Sequence, residues 1–207
     1  MNYFCKKNMK KYFSLLLMMS FITLQAQDKT TETSQEFQDN LNLEYADKAK
    51  SPLMEKDLKT FKSLDFFSIN DKYIIEAKFI RTKKEKVFKM KTSTSRLPEY
   101  KKYGELHFSI DGVDCKLNVY QNIDLIKKPG FDDYLFLPFS DLTNGKETYI
   151  GGRYVDLRIQ KGTTWKIDFN KAYNPYCAYN YEYSCPIVPL ENDLNVSILA
   201  GVKKFHD

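Results

Sequence analysis

Residues 106–117 read L-H-F-S-I-D-G-V-D-C-K-L, two runs of alternating apolar and polar residues around Asp111 and Gly112. An Asp-Gly pair between such runs is a strong signal for a β-hairpin, because both residues of the two-residue turn need positive φ. Direct pairing across this turn places Phe108 opposite Cys115 on the apolar face. The stretch therefore predicts antiparallel β structure, in which Cys115 is a small core residue.

Residues 160–162, Gln-Lys-Gly, predict a second hairpin between two further runs of alternating apolar residues. A three-residue loop with Gly162 in the left-handed conformation keeps the apolar residues of both runs on one face. The same register brings Asp156 opposite Lys166 on the outer face, where an ordinary cross-strand ion pair explains both charges. Asp156 is therefore excluded from the catalytic candidates.

The remaining pattern completes a mainly β domain. Alternating apolar residues predict strands over 134–139 and 194–200, and about eight short antiparallel strands in all. Upstream, the spacing predicts an amphipathic helix over 36–48 and a second, short helix over 54–62. We therefore expect an antiparallel sandwich or barrel of about eight strands with one or two N-terminal helices. The sequence leaves the choice between sandwich and barrel open.

The N-terminal residues predict export. Four lysines precede an apolar run over 12–24, and the small residue Ala26 follows it. A basic flank, a short apolar segment and a small residue at the cut are typical of a secretory signal peptide. So short a run, at about 1.5 Å per residue, cannot cross a hydrocarbon core of about 30 Å. We expect a signal peptide over 1–26, an N-terminal helical segment over 27–50 and a single β domain over 51–207. The mature chain would be periplasmic or secreted, with no integral membrane span.

Charge and ligand residues exclude several function classes. The chain has 32 basic and 27 acidic residues, but four of the lysines lie in the predicted signal peptide. Without those four lysines, 28 basic and 27 acidic residues remain, which leaves no electrostatic footprint for nucleic acid. His107 and His206 are the only histidines, and neither has metal-ligand spacing to the cysteines. We therefore expect no nucleic-acid partner, no metal and no cofactor.

The most unusual segment is the tyrosine loop, residues 168–192, which combines five tyrosines with prolines and asparagines. Its prolines exclude a helix or a central strand, and its aromatic content argues against disorder. Since a long loop inside a compact domain is usually either functional or disordered, the tyrosine loop is a candidate site. In an oxidising compartment, Cys177 and Cys185 are expected to form a disulfide, which would stabilise the fold by about 2–3 kcal/mol.

Arg153 occupies an inward position at the end of a predicted strand, where the pattern calls for an apolar residue. Burying an unpaired guanidinium would cost several kcal/mol, so an anionic or carbonyl-rich partner has to meet it. Asp141, Glu191 and the backbone of the tyrosine loop are available for this. Two interpretations stay open: an internal clamp that holds the loop, and an arginine that binds the carboxylate or phosphate of a ligand.

Several functions are compatible with these residues. The first is a non-catalytic exported binding module, in which Tyr173 and the amides of Asn170 and Asn174 contact a sugar or another small polar or anionic ligand. In a second interpretation the tyrosines cover the end of the sheet as a structural lid. A separate hypothesis is a structural or partner-binding envelope protein that uses the N-terminal helix or the tyrosine loop as its contact surface.

A hydrolase-like enzyme is the alternative. Asp141 or Glu191 would act as acid and base, with Arg153 or Tyr149 stabilising a developing anion. However, the sequence has no nucleophile–base motif, metal-ligand set or phosphate-binding glycine loop. We therefore favour a non-catalytic binding or structural module.

The motifs around the tyrosine loop also resemble a known family. The chain is similar over most of its mature length to the bacterial family termed domain of unknown function 1684, here in an exported form. The segments that carry the resemblance are F-x-D-x-T-x-G from Phe139 to Gly145, G-R-Y over 152–154, D-F-N-K-A-Y-N-P from Asp168 to Pro175, and C-P at Cys185 and Pro186. The family has no established activity, so the resemblance implies a domain and no chemistry.

Overall fold

One antiparallel sheet of seven strands, curled into a half-barrel, forms the centre of the described part of the protein. The computed structural model describes residues 32–206, so the predicted signal peptide over 1–26 lies outside the described residues. The strand order is β6-β5-β4-β3-β1-β7, and β2 pairs with the first half of β3. The strands are β1 (Ile74–Arg81), β2 (Val87–Lys89), β3 (Glu99–Ile110), β4 (Val113–Asn122), β5 (Tyr134–Phe139), β6 (Arg153–Arg158) and β7 (Thr164–Asp168).

The hairpin that joins β3 and β4 has the predicted register. Phe108 pairs with Cys115 and His107 with Lys116, so the apolar residues share one face. The turn residues Asp111 and Gly112 have φ values of 52° and 77°, as a two-residue turn of this kind requires. Strand β5 also has the predicted bounds.

The predicted pairing of β6 with β7 is wrong. Strand β6 pairs with β5, and β7 pairs with β1, so the two strands lie at opposite ends of the strand order. Gly162 does have positive φ, but the loop over 160–162 joins the two edges of a curled sheet. The predicted ion pair is also absent among the described residues, because Lys166 lies opposite Glu76 and Asp156 opposite Phe136.

Both faces of the sheet are covered in part. The inner face forms the main core, in which the sole tryptophan, Trp165, stacks on Phe79 with ring centroids 3.7 Å apart. A smaller cluster lies on the second face. Its buried members are Met90, Tyr100, Tyr120, Phe136 and Tyr154. In β5 and β6, the aliphatic residues face the main core, and the alternate positions Phe136 and Tyr154 face the second cluster.

The segment over 194–200 alternates between buried and exposed residues as predicted, but it is not a strand. Its first half bonds to backbone, since the N–H of Leu194 donates to the carbonyl of Ser140 and the carbonyl of Val196 accepts from Leu142. Its second half bonds to side chains: the carbonyls of Ile198 and Ala200 accept from Arg153, and the N–H of Ile198 donates to Asp141. The predicted eighth strand is thus replaced by an extended segment that backbone bonds and two charged side chains hold against the core.

Helix α1 (Ser34–Ala46) starts two residues earlier than predicted. Thr33 caps it in a capping box, since the Thr33 hydroxyl accepts from the N–H of Glu36 and the Glu36 carboxylate accepts from the N–H of Thr33. The second predicted helix is reduced to one turn, α2 (Glu55–Leu58). Within residues 32–206, no helix is both long and apolar enough to span a bilayer.

Candidate functional site

Arg153 begins β6 and is fully buried beneath the C-terminal segment. Its Nη2 atom donates to Oδ2 of Asp141 at 2.8 Å and to the carbonyl of Ile198 at 2.8 Å. Its Nη1 atom donates to the carbonyl of Ala200 and, at 3.5 Å, to that of Val202. The guanidinium is therefore an internal clamp, and it holds residues 198–202 rather than the tyrosine loop.

The electrostatics of this clamp follow from its burial. Burial lowers the pKa of the Arg153 guanidinium, and the charge of Asp141 acts in the opposite direction. Both side chains have no exposed surface, and the second oxygen of Asp141, Oδ1, accepts from the N–H of Thr143 at 2.8 Å. The Nη1 and Nη2 atoms and both Asp141 oxygens are bonded inside the protein, and Nε of Arg153 is buried without a partner. Because no polar atom of the pair reaches solvent, the clamp offers no open position for a ligand anion.

The other predicted carboxylate, Glu191, lies apart from the clamp. Its side chain is exposed on a 3-10 turn (Leu190–Asn192), where Tyr120 donates to it at 3.5 Å. Among the described residues no hydrogen bond or ion pair joins Glu191 to Asp141 or Arg153. The acid–base pair of the hydrolase hypothesis is thus not assembled around the arginine.

The predicted asparagines are fully buried backbone supports. Asn170 accepts from the N–H of Asn70 at 3.0 Å and donates to its carbonyl at 3.1 Å, as a neighbouring strand would. Asn174 donates to the carbonyl of Lys203 at 2.9 Å. Both amides therefore fasten chain segments to the tyrosine loop and face no solvent.

The tyrosine loop is ordered by packing on helix α1. Tyr179 is buried with its ring 5.0 Å from that of Tyr45, and Tyr176 donates to Glu44 at 3.2 Å. Tyr181, by contrast, is 78% exposed at the tip. Tyr176 and Tyr179 thus pack on helix α1, whereas the second interpretation of the sequence has the tyrosines covering the end of the sheet.

The predicted disulfide is not formed. Cys177 and Cys185 are both free, although the N–H of Cys177 donates to Sγ of Cys185 at 3.2 Å. Tyr149 lies beside them, with its hydroxyl 3.9 Å from Sγ of Cys177. Packing, the 3-10 turns and hydrogen bonds hold the loop without a covalent link between its two thiols.

A different polar cluster lies on the second face, and sequence reasoning missed it. Oδ1 of Asp156 accepts hydrogen bonds from the hydroxyls of Tyr134 and Tyr173, each at 2.7 Å. The Asp156 side chain is exposed, and none of the described residues donates to its second oxygen, Oδ2. We call these three residues the Asp156 cluster.

The cluster can accept hydrogen bonds and attract positive charge. Dense protein surroundings raise the pKa of the Asp156 carboxyl, whereas the hydrogen bonds from Tyr173 and Tyr134 lower it. Since the side chain keeps contact with solvent, it can exchange water for a ligand donor at Oδ2. The partly buried Tyr173 ring supplies apolar surface beside it, and it packs edge to face on the buried Tyr154 ring with centroids 5.9 Å apart.

Asp156 was not predicted as a site residue because the predicted strand pairing was wrong. A hairpin between β6 and β7 assigns Asp156 to Lys166, and only the pairing of β6 with β5 brings it next to Tyr134. Of the seven ligand-site residues predicted from sequence, Tyr173 alone belongs to the cluster. No group of three or more His, Cys, Asp or Glu within residues 32–206 is arranged to hold a metal ion.

Comparisons with known proteins identify a family. A solution NMR structure of an uncharacterized protein of Haloarcula marismortui is similar, with a TM-score of 0.65 and 29% sequence identity over 82% of this chain and 91% of that chain. No curated protein matches the chain. A family model described as protein of unknown function (DUF1684) matches residues 59–203, which contain all seven strands described above. Because this match covers more than half of the sequence, the chain belongs to the DUF1684 family.

Proposed function

We propose that this protein is an exported, non-catalytic binding module whose ligand contacts the Asp156 cluster. The observation that carries the proposal is an exposed carboxylate with both tyrosine donors on one oxygen, whose second oxygen accepts from none of the described residues. The two hydroxyls fix the carboxylate in one orientation, so a ligand meets a pre-organised acceptor and loses less entropy on binding.

The chemistry of the cluster favours a neutral or cationic polar ligand over an anionic one. A carboxylate repels anions. The charge of Arg158 acts on Asp156 and lowers the pKa of its carboxyl, but the Arg158 guanidinium is bonded to Asp133 at 2.6 Å and to the carbonyl of Gly130, so it is already paired. Tyrosine rings beside a single acceptor suit a sugar hydroxyl or an organic ammonium group. We therefore narrow the expected ligand to a sugar or an amine.

The tyrosine loop supports this site from behind. The backbone of Tyr173 pairs with that of Tyr154 in β6, with N–O distances of 2.9 and 3.0 Å, so this bridge fixes the position of Tyr173 at the edge of the sheet. Phe37 of α1 packs against the Tyr173 ring at 6.4 Å. The helix and the loop thereby set the position of the second tyrosine of the cluster.

The hydrolase alternative has weaker support. A general acid or base has to reach the substrate, but Asp141 is buried and bonded to Arg153, while Glu191 is exposed elsewhere. Among the described residues, neither carboxylate is hydrogen-bonded to a serine, threonine or cysteine side chain. Asp141 and Arg153 are better explained as parts of the scaffold.

Thermal-shift measurements on the full chain test the binding proposal. The probes are monosaccharides and disaccharides, polyamines, and phosphate and carboxylate anions, each at millimolar concentration. We expect a raised melting temperature with at least one sugar or amine and none with the anions. Asp156→Asn keeps the acceptor for the tyrosines but removes the charge, so it should abolish an amine shift and weaken a sugar shift.

Asp114→Asn is the matched control, because Asp114 is another exposed aspartate on a strand of the same sheet. It should leave every ligand shift unchanged. If no probe shifts the wild type, or if Asp156→Asn keeps the full amine shift, the binding site is not at this cluster.

Export has a separate test. The full chain is expressed in a bacterial host, the cells are fractionated, and the N-terminus of the product is determined by mass spectrometry. Cleavage near Ala26 and recovery outside the cytoplasm would support export. An intact N-terminus in the cytoplasmic fraction would contradict it.

A further inference from the structure

Cys177 and Cys185 lie side by side in the tyrosine loop, in different surroundings. The N–H of Cys177 donates to Sγ of Cys185 at 3.2 Å, so the two residues are in direct contact. The side chain of Cys185 is buried, whereas that of Cys177 is half-buried. The pair thus combines a sulfur that solvent can reach with one that protein covers.

Other groups hold the two residues in place. The N–H of Cys185 donates to Oγ of Ser93 at 3.0 Å, and the N–H of Ser93 donates to the carbonyl of Cys185 at 2.8 Å. On the other side, the hydroxyl of Tyr149 lies 3.9 Å from Sγ of Cys177, where it can donate to a thiolate. The two cysteines are therefore held between Ser93, which bonds to the Cys185 backbone, and the hydroxyl of Tyr149.

We propose that Cys177 and Cys185 form a reversible dithiol–disulfide site that exchanges with a disulfide-bearing partner. Cys177 is the attacking residue because solvent reaches it, and Cys185 is the resolving residue because it is covered but adjacent. The site is independent of the Asp156 cluster, so either proposal can fail without the other.

The exchange balances in two steps. The Cys177 thiolate attacks one sulfur of the partner disulfide, forms a mixed disulfide and releases one partner thiolate. Cys185 then gives up its proton and attacks Sγ of Cys177, which forms the internal disulfide and releases the second partner sulfur as a thiol. The protein loses two electrons, and the partner disulfide gains them.

The protonation of the three described cysteines agrees with these roles. Hydrogen bonds from Cys185 and, to a smaller extent, from Tyr149 lower the pKa of Cys177 to about 6, so its thiolate predominates at neutral pH. The side-chain hydrogen bond to the Cys177 sulfur, together with burial, raises the pKa of Cys185, whereas the bond from the N–H of Cys177 lowers it. Burial also raises the pKa of Cys115, which makes Cys115 an internal reference for an unreactive thiol.

The test uses the reduced full chain with Cys5 replaced by serine, so that only the three described cysteines remain. Iodoacetamide labelling is followed by peptide mass spectrometry between pH 4.5 and 9. We expect Cys177 to react first, with a rate that reaches half its plateau near pH 6. Cys185→Ala should move that midpoint upward by more than one pH unit, because the sulfur donor is lost. Cys115→Ala is the matched control and should leave it unchanged.

Reaction with oxidised glutathione then tests whether Cys185 resolves the mixed disulfide at Cys177. The wild type should end as the internal disulfide, Cys185→Ala should stop at the mixed disulfide with glutathione, and Cys177→Ala should form neither. Circular dichroism confirms that each variant is folded. An ordinary alkaline midpoint for Cys177, a Cys185→Ala variant that accumulates no mixed disulfide, or an internal disulfide that excess reduced glutathione cannot open would each overturn the proposal.

Discussion

Arg153→Met should destabilise the protein severely, because it leaves the Asp141 carboxylate buried without its cation. Both side chains have no exposed surface, and breaking a buried pair by removing one partner costs about 3–5 kcal/mol. The carbonyls of Ile198 and Ala200 lose their donor in the same step. For a domain of this size, that loss corresponds to a decrease in melting temperature of about 6–20 °C.

Arg158→Met is the matched control on the same strand. Arg158 is also paired with an aspartate, Asp133, at 2.6 Å, but its side chain is 50% exposed. Solvent screens such a pair, so we expect a loss of at most about 1 kcal/mol. Urea unfolding followed by circular dichroism gives the free energy of unfolding of each variant. The reasoning is refuted if Arg153→Met and Arg158→Met differ by less than about 1 kcal/mol.

A double variant separates the lost charge pair from the lost packing. Asp141→Asn keeps an acceptor for the N–H of Thr143 but carries no charge, so it removes the cost of an unpaired buried carboxylate. Arg153→Met combined with Asp141→Asn should therefore be more stable than the sum of the two single variants predicts. Additive losses would show that the arginine acts through its volume and its bonds to carbonyls alone.

Two further substitutions test the sheet. Gly104→Ala should destabilise by about 1–3 kcal/mol in urea unfolding, because an added Cβ would lie 2.3 Å from the Phe79 ring and 2.7 Å from the carbonyl of Ile80; an unchanged midpoint would contradict this close packing. Asn192→Asp should cost at least about 2 kcal/mol at neutral pH, since the Asn192 amide donates to the carbonyls of Asn118 and Pro138 and a carboxylate cannot. Asn192→Asp should also recover stability as the pH falls and the new carboxyl is protonated, and a pH-independent loss would exclude this explanation.

Local signals predicted individual elements well. The hairpin at Asp111 and Gly112 has the expected register because the turn type and the alternation of period two are both encoded within twelve residues. The alternation in β6 likewise placed Arg153 inward, and it is buried. The mainly β, antiparallel class follows from the sum of such signals.

Local signals did not predict which strands pair with each other. A short loop between β6 and β7 suggested a hairpin, but the curl of the sheet leaves the two strands at its opposite edges. That error removed Asp156 from consideration and hid its contacts with Tyr134 and Tyr173, which are 22 and 17 residues away in the chain.

The sequence by itself determined the class of fold, the faces of its strands and membership of the DUF1684 family, because periodicity, turn residues and linear motifs are local properties. Only the tertiary structure decided what Arg153 binds, that Cys177 and Cys185 are free neighbours, and where an exposed carboxylate meets two tyrosines. Those contacts depend on which distant backbone segment fills each position around the curled sheet, and that choice minimises the free energy of the whole core rather than of any one segment.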